Sequence, residues 1–233
     1  MTIAASPEPD APFPPWRARD ALLATLAGLG ASVLGAIVVR RGGLSTIDLF
    51  AVVLPLQSAG TLACAFFMAR RRGPLRRVLA LTARWSDLTG IAVGAGIQIV
   101  GASVALSIIE TLFEGEVPGQ EIVIAAAETV GWSTRALVVI GLVIIGPIAE
   151  EVVFRGMLLP SLLGRGRRWA VMVSSALFAA LHLMDPSAAF SVPFLFVLAL
   201  VLGYERLRTG RLGRPVAIHA GFNLITVIAV FAA

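Results

Sequence analysis

Residues 136–163 read ALVVIGLVIIGPIAEEVVFRGMLLPSLL, an apolar stretch long enough to cross a bilayer that is interrupted by two adjacent glutamates and an arginine. Ionisable groups at that depth are costly and usually serve a function. Glu150, Glu151 and Arg155 therefore mark the first candidate functional site in the chain. The rest of the sequence decides what surrounds it.

The composition predicts a polytopic membrane protein. Hydrophobic residues make up 58% of the 233 residues and charged residues only 14%, whereas a soluble domain carries about a quarter charged residues. A hydrocarbon core of about 30 Å needs roughly 20 apolar residues per helix. The chain then divides into seven candidate spans, at 21–39, 47–69, 87–109, 136–159, 169–184, 188–204 and 215–232.

We expect an all-α transmembrane bundle: a disordered cytoplasmic tail at 1–19, followed by one transmembrane domain at 20–233. All 19 basic residues are arginine. The positive-inside rule places most of them in the cytoplasm. The N-terminus is then on the cytoplasmic side of the cell membrane, and the C-terminus is on the outer side. Four clusters support this orientation: Arg17 and Arg19; Arg70–Arg72 with Arg76, Arg77 and Arg84; Arg165, Arg167 and Arg168; and Arg206 through Arg214.

The charge distribution excludes some partners. The 110–134 connection carries five glutamates, and only Arg40, Arg41 and Arg135 disagree with the orientation. Arginine at cytoplasmic helix ends, in contact with anionic lipid, accounts for the net charge of +5. Nucleic acid is therefore not an expected partner.

The polar residues within the last four spans form a short set: Glu150, Glu151, Arg155, His182, His219 and Asn223. Residues four apart share a helix face, so Glu151 lies on the same face as Arg155, while Glu150 points elsewhere. A carboxylate held by an arginine stays ionised, whereas an unpaired one in a dry cavity can accept and return a proton. The sequence leaves open which glutamate is the base.

Structural roles compete with this interpretation. A buried Glu–Arg pair can fix helix register, a histidine at a helix end can be a packing residue, and Asn223 can join two helices. Phe178, four residues before His182, is expected to pack. All the histidines, and all the carboxylates away from the span ends, nevertheless fall in one block, while the interiors of the first three spans offer only Gln57, Gln98 and hydroxyl groups. This grouping favours one polar cavity.

Three patterns follow one another on successive predicted helices: Glu150-Glu151-x-x-x-Arg155, Phe178-x-x-x-His182 and His219-x-x-x-Asn223. In this order they resemble the motifs of the CAAX protease and bacteriocin-processing (CPBP, or Abi) family of intramembrane proteases. The resemblance covers about residues 137–231.

The resemblance implies a helical bundle that hydrolyses a peptide bond of a membrane-associated peptide or protein. Eukaryotic members remove the last three residues of prenylated CAAX proteins. By this likeness, one glutamate of the pair and His182 activate the attacking water, and Arg155 holds the other glutamate. His219 and Asn223 bind the water or stabilise the oxyanion.

Metal dependence is a separate question. If a zinc ion is present, Glu150, His182, His219 and Asn223 are its candidate ligands. Zinc sites rarely use asparagine, and the HExxH helix signature is absent. We therefore favour a glutamate protease without a metal, with zinc as the alternative.

Two other classes of function compete with a peptidase. A non-proteolytic immunity or scaffold protein would need this fold without its chemistry, and retention of every motif residue argues against it. A transporter also carries intramembrane Glu, Arg and His, but the chain shows no inverted repeat. Rhomboid-type and presenilin-type sites need a GxSG serine or two intramembrane aspartates; the first is absent, and Asp185 lies beside Pro186 in a predicted loop.

Overall fold

The structure, a computed structural model, describes residues 16–41, 46–112, 131–184 and 190–232. Most of the predicted tail, the 113–130 part of the glutamate-rich connection, and Asp185 lie outside the described residues. The described chain is almost entirely helical and contains no strand, which confirms the all-α prediction.

Within the described ranges eight helices follow one another, and one of them is composite. They are α1 Ala18–Arg41, α2 Thr46–Arg70, the short α3 Leu75–Val78, α4 Gly90–Leu112, α5 from Trp132 to Arg165, α6 Arg167–Leu181, α7 Val192–Thr209 and α8 Gly213–Ala232. Short 3-10 turns precede α4 at Trp85–Thr89 and follow α6 at His182–Met184. Helix α5 contains two π-helical segments, Gly141–Ile145 and Val152–Leu158.

Four described stretches are long and apolar enough to cross a membrane: Ala18–Arg41, Val52–Arg70, Trp85–Ile108 and Arg135–Arg165. Helices α6, α7 and α8 have 15, 18 and 20 residues. At about 1.5 Å per residue, α6 extends only some 22 Å, which is shorter than a hydrocarbon core of about 30 Å. The count of seven spans stays a prediction.

One end of the bundle is joined by contacts between distant parts of the chain. The Trp16 indole donates to the Val78 carbonyl at 3.1 Å, which ties the start of α1 to α3. The Leu212 amide donates to the Ala80 carbonyl at 3.0 Å, which brings the α7–α8 turn to the same place. Two ion pairs reinforce this end, Arg72 with Asp20 and Arg211 with Asp87. The arginine clusters of the sequence lie at this end of the bundle. The placement of this end in the cytoplasm stays a prediction.

Helix α4 packs along α8 with their backbones in direct contact. A Cβ atom added at Gly94 would lie 2.7 Å from a backbone nitrogen of α8, and one at Gly221 would lie 2.7 Å from backbone atoms of α4. Small residues allow this approach between membrane helices. Gly221 stands between His219 and Asn223, so the contact with α4 fixes the part of α8 that carries them.

We expect Gly94→Ala to lower the melting temperature of detergent-purified protein. The added methyl group meets backbone that cannot rotate away, and overpacking of this kind costs about 1–3 kcal/mol. Gly96→Ala is the matched control, because nothing in the described chain lies within 4 Å of a Cβ there. Equal melting of both variants and wild type would contradict the α4–α8 contact.

Candidate active site

A completely buried ion pair forms the base of the site. Arg155 and Glu151 are both 0% exposed, and the Arg155 Nη1 donates to Glu151 Oε1 at 2.9 Å. The Arg155 Nη2 donates to the Ala199 carbonyl of α7 at 3.0 Å. The guanidinium also lies 4.7 Å from the centre of the Phe178 ring on α6. A buried charge needs partners of this kind, and these bind α5 to α6 and α7.

The Glu151 carboxylate also orients a histidine. Its Oε1 lies 3.1 Å from His219 Nδ1. Because an ionised carboxylate can only accept hydrogen bonds, Nδ1 must carry a proton, which leaves Nε2 as the lone-pair nitrogen of the neutral ring. Nε2 lies 3.7 Å from Glu150 Oε2. Glu151 therefore holds the imidazole, and Glu150 lies beside its other ring nitrogen without a hydrogen bond to it.

Glu150 differs from Glu151 in its surroundings. Its side chain is 39% exposed, whereas that of Glu151 is fully buried. Glu150 borders a cavity of about 60 Å³, more than the roughly 10–15 Å³ that one water requires. Three helices line it: Leu54, Gln57 and Ser58 of α2; Gly141, Leu142, Gly146 and Glu150 of α5; and Asn223 of α8.

Two prolines explain how other helices attach to α5. In a π-helical segment the N–H of residue i bonds to the carbonyl of residue i−5, and proline has no N–H. Pro147 therefore leaves the Leu142 carbonyl available, and it accepts from Asn223 Nδ2 at 2.8 Å. Pro160 likewise leaves the Arg155 carbonyl available, and it accepts from Arg206 Nε at 3.2 Å.

Phe178 connects the two histidines. Its ring centre lies 4.9 Å from that of His182 and 5.6 Å from that of His219. His182 follows the last residue of α6, and its Nδ1 donates to the Phe178 carbonyl at 3.0 Å. The completely buried Phe178 therefore separates and spaces the two imidazoles, which extends the packing role expected of it.

The candidate zinc ligands do not gather into a metal-binding cluster. Catalytic zinc usually has three protein ligands. Among the described residues no group of three or more His, Cys, Asp or Glu side chains is arranged to hold a metal ion. Glu150 and His219 are adjacent, and Asn223 uses its amide nitrogen on α5. This arrangement does not fit the zinc set, and we derive no step through a metal.

The structure thus brings together four of the six candidate residues by direct contact: Glu150, Glu151, Arg155 and His219. Asn223 borders the cavity next to Glu150. His182 contacts the Phe178 ring, which in turn contacts the His219 ring. Sequence reasoning missed Arg206, which it counted among the cytoplasmic arginines although the side chain is only 2% exposed. Pro160 was the sequence feature that could have indicated it. Because proline has no N–H, the Arg155 carbonyl needs a donor from elsewhere, and Arg206 supplies it.

Residues 132–225 match the family model described as "Type II CAAX prenyl endopeptidase Rce1-like". Over these residues the chain is similar to this family of peptidases, which is of the CPBP type. The match confirms the resemblance carried by the three motifs, and it covers α5 through most of α8. CPBP proteins of this type are peptidases, and together with the apolar helices the match supports a membrane protein. No curated protein and no solved structure matches the chain.

Arg155→Leu should destabilise the protein by about 3–5 kcal/mol, because it leaves the Glu151 carboxylate buried without its cation. Thermal melting in detergent measures this. The double variant Glu151→Gln with Arg155→Leu should recover part of the loss, since no unpaired charge remains.

Arg208→Ala is the control for this experiment. Its ion pair with Glu205 is about half exposed on the arginine side, and such solvent-screened pairs contribute little to stability. If Arg155→Leu melts like Arg208→Ala, the buried pair has been assigned wrongly.

Proposed function

We propose that this CPBP protein is an intramembrane endopeptidase in which Glu150 activates a water molecule to attack a peptide bond. One observation carries the proposal: Glu150 borders a cavity large enough for water and lies 3.7 Å from an imidazole nitrogen whose opposite nitrogen is held by Glu151. A base, its partner and an orienting carboxylate are the parts that water activation requires.

The reaction follows from these positions. The Glu150 carboxylate removes a proton from water as the water oxygen bonds to the carbonyl carbon of the substrate. The carbonyl oxygen becomes an oxyanion. When the carbon–nitrogen bond breaks, the proton passes to the departing amine, and Glu150 is ionised again. A positioned base of this kind contributes about 10²–10⁴-fold to the rate.

Glu150 and Glu151 take different roles because their partners differ. Glu151 receives Arg155 and His219 on one oxygen, so it is occupied in orienting the imidazole. Glu150 lies beside the other ring nitrogen of His219 and borders the cavity, so its carboxylate can reach a water there. Two carboxylates in unlike environments commonly divide the work in this way.

We assign His182 and Asn223 supporting roles in the reaction. His182 donates from Nδ1 to its own helix, which leaves Nε2 as a hydrogen-bond acceptor, and we assign it the positioning of the departing amine as that amine receives the proton from Glu150. Asn223 uses one N–H on the Leu142 carbonyl and offers its side-chain oxygen to the water. The C-terminal segment of a prenylated, membrane-associated protein is the substrate class that the family suggests.

Glu150→Gln should abolish cleavage, a loss of about 10²–10⁴-fold, while the melting temperature stays near that of wild type because no arginine loses its partner. Glu151→Gln should lower both activity and stability. His182→Ala should reduce cleavage without preventing insertion. Proteomics of cells that make each variant measures the truncated membrane proteins that accumulate.

Identical proteomes from wild type and Glu150→Gln would exclude the peptidase. That outcome would favour an immunity or scaffold protein with the same fold.

Treatment with a chelator should leave cleavage unchanged if the water is activated by Glu150 alone. The assay uses purified protein in lipid vesicles, before and after removal of divalent metals, with zinc added back. Loss of activity and its full return with zinc would overturn the metal-independent mechanism.

A further inference from the structure

Helix α2 supplies one wall of the cavity, although it lies outside the matched residues 132–225. Gln57 and Ser58 are the polar side chains on that wall, opposite the glutamate of α5 and the asparagine of α8. Polar groups within membrane helices are rare and usually face a site or a partner. The Gln57 carboxamide forms no hydrogen bond within the described chain, so helix packing does not explain it.

The proposed reaction requires hydrogen-bond donors in the cavity, and the side chains that line it offer few. Hydrolysis creates negative charge on the carbonyl oxygen, and that oxygen must receive hydrogen bonds. Glu150 is an acceptor, and the His219 proton on Nδ1 is used by Glu151. Asn223 spends one of its two amide hydrogens on α5. Among the described lining residues, Gln57 therefore offers the only amide group with both hydrogens unused.

The backbone around Gln57 is held firmly from two sides. A Cβ atom added at Gly28 of α1 would lie 2.7 Å from the Gln57 carbonyl, so α1 packs directly on this turn. On the other side, Pro55 is the nearest neighbour of Gly141 of α5, with its Cγ 3.9 Å from a Cβ added there. These contacts fix the backbone that carries the Gln57 side chain, and a fixed backbone favours a donor that is preorganised for a developing charge.

We propose that Gln57 is a catalytic residue of this site, whose side-chain amide donates a hydrogen bond to the carbonyl oxygen of the scissile peptide as that oxygen becomes an oxyanion. The assignment rests on the proposed peptidase function. Gln57 transfers no proton: it strengthens its hydrogen bond as the water oxygen bonds to the carbonyl carbon and releases the charge when the carbon–nitrogen bond breaks.

The kinetic test compares wild type, Gln57→Met, Glu150→Gln and Gln98→Met in lipid vesicles with a fluorescence-quenched farnesylated peptide that ends in a CAAX sequence. Gln57→Met should lower kcat by about 10²–10³-fold with little change in KM, the loss typical of one oxyanion donor. Gln98→Met is the matched control, because Gln98 donates to Thr226 away from the cavity. It should retain the wild-type kcat.

The outcomes separate the two proposals. Loss of cleavage in Glu150→Gln together with wild-type kcat in Gln57→Met would overturn the Gln57 assignment alone. Absence of cleavage by wild type would remove the peptidase proposal for this substrate class and the oxyanion role with it.

A second measurement tests the position of Gln57 without any catalysis. In a Cys64→Ala background, Gln57→Cys should react with methyl methanethiosulfonate, because a thiol forms its reactive thiolate only in contact with water. Ala59→Cys is the control: Ala59 is exposed on the outer surface of α2 and would face lipid. The cysteine at position 59 should therefore not react with methyl methanethiosulfonate. Equal failure of both cysteines to react would show that position 57 does not face a hydrated cavity and would overturn the assignment.

Discussion

The Arg155 guanidinium is completely buried, and its partners come from three helices: Glu151 of its own helix, the Ala199 carbonyl of α7 and the Phe178 ring of α6. Through Glu151 the same interaction reaches His219 on α8. A buried ion pair adds little stability over a well-packed apolar pair, but it tolerates few alternative arrangements. This constraint fixes which glutamate faces inward and which borders the cavity.

The two prolines of α5 leave backbone carbonyls unpaired, and other helices bind to those carbonyls. Each lies two residues beyond a π-helical segment and lacks the N–H that would continue its pattern. Each available carbonyl accepts a side chain from another helix, Asn223 in one case and Arg206 in the other. Buried backbone carbonyls need such partners, above all where water is scarce. The composite helix is thereby positioned at two levels, one beside the cavity and one beside the buried ion pair.

The helical class, the family and the grouping of polar residues follow from the sequence, because apolar length and motif order are local properties. The partners of those residues do not. Helix periodicity places Glu151 and Arg155 on one face, yet it cannot show that His219 shares the same carboxylate. Arg206 has the sequence context of a cytoplasmic arginine, and only packing reveals that it is buried. Gln57 is one polar residue in an apolar helix, and its significance depends on a neighbour some 90 positions along the chain, Glu150.

The cavity has walls from both the segment that matches the family model and the preceding helix α2. A fragment limited to residues 132–225 would keep the glutamates, both histidines and the asparagine, but it would lack the cavity wall that α2 supplies. The side of the cavity opposite α5 and α8 would then be open. The stretch recognisable by sequence is therefore smaller than the structural unit that encloses this cavity.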